Sequence, residues 1–161
     1  MSETKHNTKL KNSLKKYFKD IWAIKYHAGT HGMGGIPDVI GCHKGQFFSI
    51  EGKMLKPLKK KKLTIASRDG NICGCSDLQI ATMKQHAAAG AVVLMAYYRH
   101  FSGNWRKNGL YLIPKSKIST PEQVEEFKTT NNFDKYFCSY VGGQVYDIKK
   151  LFTSYLKDRA S

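Results

Sequence analysis

The feature that most constrains the fold is the segment from Ala91 to Tyr98, AVVLMAYY, which is the longest continuous apolar run in the chain of 161 residues. A strand that is apolar on both faces needs cover on both sides, as in the centre of an α/β sheet. Residues 76–89 before it have helical periodicity, with Ser76 and Gln79 in the spacing of a capping box. The sequence therefore predicts a helix that crosses over into a buried central strand.

Two shorter apolar runs predict a β-hairpin. Residues 39–42 and 46–51 are rich in β-forming side chains, and the intervening residues HKG are typical of a short turn. Asp38 precedes the first strand and Glu51 closes the second. Antiparallel pairing then places the two carboxylates side by side at one edge.

Lys53 extends this pair into a candidate catalytic group. It follows Glu51 by two residues, and alternation along a strand points both side chains to one face. A divalent metal held by carboxylates supplies a hydroxide nucleophile and stabilises the charge that develops in phosphodiester cleavage. Asp38 and Glu51 are the candidate ligands, and the carbonyl of Gly52 is a third.

The remaining elements complete a single α/β domain over residues 1–161, with a central mixed β-sheet flanked by helices. We expect helices at 4–19, after Thr120 and at 148–157, and strands at 21–26 and 109–113, whereas 130–146 give no clear pattern. The expected organisation is a core at about 4–98, a basic insertion at 54–75 and a C-terminal elaboration at 99–161.

The charge of the chain favours nucleic acid as the partner. It has 27 Lys and Arg against 12 Asp and Glu, a formal net charge of +15, although a biased genome also produces lysine-rich chains. Six lysines between 53 and 62 lie beside the candidate site. Such contacts read phosphate and DNA shape rather than sequence. The predicted DNA-binding residues are Lys56, Lys59, Lys60, Lys61, Lys62, Arg68, Arg106 and Lys107.

The sequence contains no membrane span and no signal-peptide core, so we expect an intracellular protein. The cysteines are expected to be free thiols, and the alternative is a zinc site in which Cys73 and Cys75 join Cys42, His43 or Cys138. His27 and His31 flank the glycine-rich loop and are either exposed or in contact with phosphate.

The segment GGIPDVIGCHKGQFFSIEGK resembles the PD-(D/E)XK nuclease superfamily, with Pro37-Asp38 as the first half of its motif and Glu51-Gly52-Lys53 as the second. The glycine-rich approach to Asp38 and the helix that carries Gln79 are similar to the VRR-NUC group. The segment DLQIATMKQHAAAGAVVLMAY is similar to bacterial and phage Holliday junction resolvases. The resemblance covers residues 20–98.

The resemblance implies a restriction-endonuclease-like core and a role for each motif residue. Asp38 and Glu51 would bind one or two Mg²⁺ or Mn²⁺ ions, Lys53 would orient or activate the attacking water, and Gln79 would support the site. Related nucleases often have an acidic ligand on the first helix. The early acidic residues Glu3 and Asp20 do not align clearly with that position, which leaves this ligand unassigned.

The combined expectation is a Mg²⁺-dependent endodeoxyribonuclease that selects DNA by structure, as a Holliday junction resolvase does. Resolution of a four-way junction needs two coordinated active sites, and hence a homodimer. The alternatives are a flap, repair or restriction nuclease, and a catalytically inactive basic DNA-binding module. For Gln79 the alternative is a helix cap without a role in the site.

Overall fold

A computed structural model describes residues 2–26, 34–55, 74–120, 122–123, 126 and 134–158. Within these ranges it has three α-helices and one seven-stranded sheet. In chain order the elements are α1 (Glu3–Tyr17), β1 (Ile21–Lys25), β2 (Val39–His43), β3 (Gln46–Met54), α2 (Asp77–Ala88), β4 (Val92–Arg99), β5 (Gly109–Pro114), β6 (Phe137–Gly142), β7 (Val145–Tyr146) and α3 (Lys149–Lys157).

The strands lie in the sheet in the order in which they occur in the chain, β1 to β7. Neighbouring strands are antiparallel except β3 and β4, which are parallel and are connected through α2. Strand β4 is buried from Val92 to Tyr98. The mixed sheet flanked by helices confirms the predicted single-domain α/β fold and the helical crossover into a central strand.

The hairpin of β2 and β3 is confirmed, and β3 is longer than predicted. Lys44 and Gly45 have φ of 47° and 81°, so both central residues of the turn have the left-handed backbone that a tight hairpin favours. Strand β3 continues to Met54 because its last residues pair with β4. The predicted insertion at 54–75 therefore begins inside a strand. Residues 56–73 lie outside the described residues.

The two faces of the sheet have separate cores. Leu10 and Leu14 of α1 and Phe152 of α3 pack on one face together with Phe48 and Tyr98. The other face packs Met83 of α2 against a second set, which includes Met95, Tyr97 and Ile113. Because side chains alternate along β3, Ile50 and Gly52 belong to the α1 face, and Glu51 and Lys53 to the α2 face.

The termini differ from the sequence expectations. Helix α1 begins at Glu3 and ends at Tyr17, where Phe18 turns into extended backbone and is buried. At the predicted helix start near residue 120, the Thr120 hydroxyl accepts a hydrogen bond from the Gln123 amide at 3.2 Å.

No helix among the described ranges is long and apolar enough to cross a membrane.

Part of the segment 130–146, which gave no clear sequence pattern, holds α1 in place. Strands β6 and β7 extend the sheet, and the backbone amide of Tyr146 donates to the Ser13 hydroxyl at 2.8 Å. The Tyr146 hydroxyl also forms a hydrogen bond with Nδ1 of the buried His6. The C-terminal part is thus built into the same sheet and core as the hairpin.

The Ser13 contact gives a test of how α1 is held. In Ser13→Ala the buried amide of Tyr146 loses its acceptor, so we expect the free energy of unfolding to fall by about 1–3 kcal/mol. Urea denaturation followed by far-UV circular dichroism measures this change. In the control Ser154→Ala the lost hydroxyl only donates to a carbonyl in its own helix, and a change within about 0.5 kcal/mol is expected. Equal losses in both variants would contradict the role of Ser13.

Candidate active site

Asp38 and Glu51 meet at the end of the sheet where the hairpin strands separate. Strands β2 and β3 pair up to Val39 opposite Ile50, and the next residues along are the two carboxylates. The Asp38 carboxylate accepts a hydrogen bond from the Gly52 amide at 2.9 Å. The structure therefore brings the two predicted carboxylates to one edge, as the hairpin pattern indicated.

Glu51 is held between a cation and an amide. The Lys53 ammonium nitrogen lies 2.7 Å from Oε1 of Glu51, and the side-chain amide of Gln79 donates to the same oxygen. Glu51 is 1% exposed and Lys53 is partly exposed. The structure thus joins Glu51, Lys53 and Gln79 in one cluster.

Gln79 is both a helix cap and a part of this cluster. Its backbone amide donates to the Ser76 hydroxyl at 3.2 Å, and its Oε1 accepts from the Ser76 amide at 2.9 Å. Because a backbone N–H fixes the oxygen on that side, the amide nitrogen is directed to Glu51. Both of the roles that the sequence left as alternatives are present, and the first turn of α2 is thereby fixed to the site.

Glu3 also lies at this end of the sheet. From the sequence, the acidic ligand on the first helix had stayed unassigned. Its Oε2 accepts a hydrogen bond from the Met54 amide at 3.2 Å, and its charge interacts with Lys53 and Asp38. Helix α1 starts one residue earlier than predicted, so Glu3 occupies its first turn. Asp20, the other early acidic residue, is exposed after the helix.

Asn7 is a site residue that sequence reasoning missed. It is buried one turn after Glu3 and forms a side-chain hydrogen bond with Asp38. Its oxygen accepts from the Tyr98 hydroxyl at 2.6 Å, which leaves its amide nitrogen as the donor to Asp38. The available signal was its spacing: Glu3, Asn7 and Leu10 recur at helical intervals on one face of α1.

The packing of Asn7 and Tyr98 against β3 requires glycine at position 52. A Cβ atom at position 52 would lie 2.2 Å from Oδ1 of Asn7 and 2.8 Å from a ring carbon of Tyr98. Only glycine therefore lets α1 approach β3 this closely. Within a strand the carbonyl of a residue points to the same side as its amide. The Gly52 carbonyl accordingly faces the Asp38 side, which keeps it available as a ligand.

A buried aromatic layer lies behind Asn7. The His6 ring stacks on Tyr98 with ring centroids 5.0 Å apart and is hydrogen-bonded to Tyr146. Burial, together with the charge of Lys9, lowers the pKa of His6 to about 4. His6 is therefore neutral near pH 7, and it connects the helix that carries Glu3 and Asn7 to the C-terminal strands.

The negative charge of the Asp38, Glu51 and Glu3 carboxylates exceeds the positive charge of the described lysines near them. Burial, reinforced by the charge of Asp38, raises the pKa of Glu51 to about 7 despite the opposing effect of Lys53. Burial also raises the pKa of Asp38 and of Glu3. Burial alone would lower the pKa of Lys53, but the charge and hydrogen bond of Glu51 raise it. Among the described residues, Lys53 and the more distant Lys25 oppose the three acids, and a further cation would relieve their repulsion.

The chemistry of these donors fits a hard divalent cation. Carboxylate and carbonyl oxygens are the ligands that Mg²⁺ and Mn²⁺ prefer, and Asp38, Glu51 and Gly52 supply them at one edge. Among the residues that the structure describes, no three His, Cys, Asp or Glu side chains form a ready-made metal site. Glu51 would have to exchange its contact with Lys53 or Gln79 for the ion.

Arg106 and Lys107 lie at the same end of the sheet as these carboxylates. They are exposed on a short 3₁₀ segment between β4 and β5, and Arg106 lies over the Trp105 ring at 5.2 Å. Their roles as DNA contacts stay predictions. The other predicted DNA contacts lie outside the described residues: Lys56, Lys59, Lys60, Lys61, Lys62 and Arg68. His27, His31 and Cys73 lie outside them as well.

The described cysteines are placed in different parts of the fold. Cys75 is buried with its thiol 3.9 Å from the sulfur of Met95. Cys138 is buried in the α1 face, and Cys42 is half-buried on β2. The alternative zinc site would combine these thiols with Cys73, so the described residues alone do not assemble it.

No protein-family model matches the chain, and no curated protein sequence matches it. Among solved structures of similar fold is that of Hjc from Archaeoglobus fulgidus, a Holliday junction resolvase from an archaeal hyperthermophile. The two are 16% identical, and the match covers 68% of this chain and 74% of that chain with a TM-score of 0.43. A likeness of this degree assigns no function to the chain.

The raised pKa of Glu51 predicts how stability depends on pH in EDTA. Glu51 ionises at a higher pH in the folded protein than in the unfolded chain, so stability falls as the pH rises from about 4.5 through about 7. Glu51→Gln removes this cost. We expect the variant to be more stable than wild type at pH 8, by about 1–3 kcal/mol, with the difference closing towards pH 4.5.

Urea denaturation at pH 5, 6, 7 and 8 measures this difference. The control is Glu122→Gln, at an exposed residue whose pKa is lowered by hydrogen bonds to its own backbone and to Thr120. No gain in stability at pH 8 is expected for that variant. A Glu51→Gln protein less stable than wild type at pH 8 would mean that the Lys53 ion pair outweighs the burial of the carboxylate.

The contact between Gly52 and Asn7 predicts coupled effects of two substitutions. Gly52→Ala forces the new methyl group against Oδ1 of Asn7, and we expect a loss of about 1–3 kcal/mol in the free energy of unfolding. In the Asn7→Ala background the same change should cost less by at least about 0.5 kcal/mol, because one of the two clashing groups is gone. A double-mutant cycle by urea denaturation measures the coupling, and additive losses would contradict the contact.

Proposed function

We propose that this protein is a divalent-metal-dependent endonuclease that hydrolyses DNA phosphodiesters and selects its substrate by DNA structure. The observation that carries the proposal is the convergence of Asp38, Glu51 and Lys53 at one end of the sheet. The motif in the sequence and the contacts in the structure both support a shared role for these residues. The proposal includes an intracellular location, where the chain would meet DNA.

Each residue has a specific part in this mechanism. Asp38 and Glu51, with the Gly52 carbonyl, would hold Mg²⁺ or Mn²⁺, and Glu3 lies near enough to add charge or a ligand. The bound ion would supply an activated water and stabilise the charge on the transferring phosphate. Lys53 donates hydrogen bonds from its ammonium group, and it would orient the water or a phosphate oxygen when Glu51 turns to the ion.

The positioning of the carboxylates depends on neutral donors. Asn7 and the Gly52 amide hold Asp38, and Gln79 holds Glu51. Helices α1 and α2 both direct their N-terminal ends to the site, where their partial positive charge favours carboxylates and an incoming phosphate. The scissile phosphate would thus meet a positively charged rim around the metal.

The charge of the chain supports DNA as the substrate. A net charge of +15 attracts a polyanion, and Arg106 and Lys107 lie exposed at the same end of the sheet. Contacts of this kind recognise phosphate positions, which favours selection by shape. For a four-way junction the proposal includes a homodimer, because symmetric cleavage of two strands requires two sites.

Cleavage assays test the proposal. Labelled four-way junction, flap, linear duplex and single strand are incubated with the protein in Mg²⁺ and in EDTA. We expect metal-dependent cleavage that Asp38→Asn and Lys53→Ala reduce by more than about 100-fold, since each removes several kcal/mol of transition-state stabilisation. Gln79→Ala should cost about 10- to 100-fold. Asp20→Asn, at an exposed acid outside the site, is the matched control.

The pattern of products separates the alternatives. Symmetric nicks confined to the four-way junction indicate a resolvase, and cuts at flaps or ends indicate repair or restriction activity. If no substrate is cut in Mg²⁺ or Mn²⁺, the endonuclease proposal is wrong and the inactive DNA-binding module is favoured. A thermal shift on adding Mn²⁺ in wild type but not in Asp38→Asn would show metal binding at this site without any reference to cleavage.

A further inference from the structure

The outer face of the β1–β2–β3 half of the sheet carries large apolar side chains in contact with solvent. Trp22 is 53% exposed, Ile24 39% and Phe47 61%. Ala23, between the first two, points the other way and is buried. We call this surface the aromatic face and define it by Trp22, Ile24, Ile40, Cys42 and Phe47.

The strand register places the aromatic face on the side of the sheet that carries Glu51; because Ser49 and Glu51 on β3 are buried, the exposed part of this face runs over β1 and β2 towards the half-buried Asp38. Trp22, Cys42 and Phe47 form one row across the three strands, and Ile24, Ile40 and Ser49 form the next row. The row after that ends at Glu51. Phe47 and Glu51 point to the same face of β3 and are four residues apart, which is about 13 Å along a strand.

The helices of the described residues cover other surfaces. Helix α1 packs on the opposite face of the sheet, and α2 packs over β4 and β5 through Met83. On a chain of net charge +15, a cluster of exposed apolar side chains is typical of an interaction surface.

We propose that the aromatic face binds unpaired DNA bases by stacking them on Trp22 and Phe47, a few nucleotides from the phosphate that is cut. This inference rests on the proposed nuclease function and names its substrate class, DNA with unpaired bases near the cleavage point. Exposed rings on a β-sheet are a recurring platform for unpaired bases, since every base offers a flat apolar surface.

Charge and distance both fit this occupant. Lys44, exposed at the tip of the hairpin beside Phe47, and the overall positive charge attract the phosphates of the bound strand. At about 3.4 Å per nucleotide of a stacked strand, the 13 Å between Phe47 and Glu51 spans on the order of four nucleotides. The bases of a fully paired duplex are stacked inside it and cannot reach this surface. A flap or an opened junction has unpaired bases that can stack on it.

Tryptophan fluorescence tests the inference without any cleavage. The chain has two tryptophans, so Trp105→Phe leaves Trp22 as the single reporter. In EDTA, where no metal is present, the protein is titrated with a twelve-residue oligothymidylate and with a duplex of equal length. We expect the single strand to quench Trp22 fluorescence and the duplex to leave it nearly unchanged.

Substitutions at Phe47 separate stacking from general apolar contact. Phe47→Ala and Phe47→Leu should both weaken binding of the single strand by about 5- to 100-fold, because a base stacked on a ring contributes 1–3 kcal/mol. Phe47→Trp should retain the affinity. Val141→Ala changes another exposed apolar residue, on β6 and 46% exposed, and should have no effect. Retained affinity in Phe47→Leu would contradict stacking.

Sedimentation tests the main alternative occupant of the aromatic face, which is a second copy of this chain. If the wild type is a dimer that Phe47→Asp separates into monomers, the aromatic face is an interface between copies and the inference is overturned. Equal quenching by duplex and single strand overturns it too. Because these measurements exclude metal, they can fail while metal-dependent cleavage holds, and succeed while cleavage fails.

Discussion

The site depends on the close approach of α1 to β3 at Gly52. Asn7 fills the space where a side chain at position 52 would be, and it is fixed there by the Tyr98 hydroxyl. This one contact sets how deeply the first helix sits on the sheet. It thereby places Glu3 at the end of β3 and brings a donor to Asp38. A helix displaced outward by the width of one methyl group would lose both.

The charge balance of the site follows from its position between the two cores. Glu51 lies on a strand that is buried on both sides, so its carboxylate is removed from water, and the half-buried carboxylates of Asp38 and Glu3 lie near it. Lys53 and Gln79 satisfy it in the protein described here. Burial of like charges is costly to the fold, and functional sites are where such costs concentrate. The arrangement is consistent with the proposed binding of a cation and a phosphate at this site.

Much of the fold was predictable because its signals are local. The unbroken apolar run of β4, the capping box of α2 and the turn residues Lys44 and Gly45 each determine structure within a few positions. The placement of Asp38 beside Glu51 followed from antiparallel pairing in the hairpin, and that of Lys53 from strand alternation. Asn7 and Tyr98 were not predictable in the same way, because their contact joins a helix to a strand 91 positions away in the chain. Glu3 was missed because the start of a helix is uncertain by a residue or two.

The C-terminal strands have a further consequence for how the protein is made. Helix α1 carries Glu3 and Asn7, yet its buried Ser13 hydroxyl and the Nδ1 atom of its buried His6 form their hydrogen bonds with Tyr146. A chain emerging from the ribosome therefore presents its first helix long before the strand that fixes it exists. Its acidic residues are synthesised early, but this bracing contact forms only after the chain has been synthesised through Tyr146, so full ordering of the helix waits for the strands that follow it by more than a hundred residues.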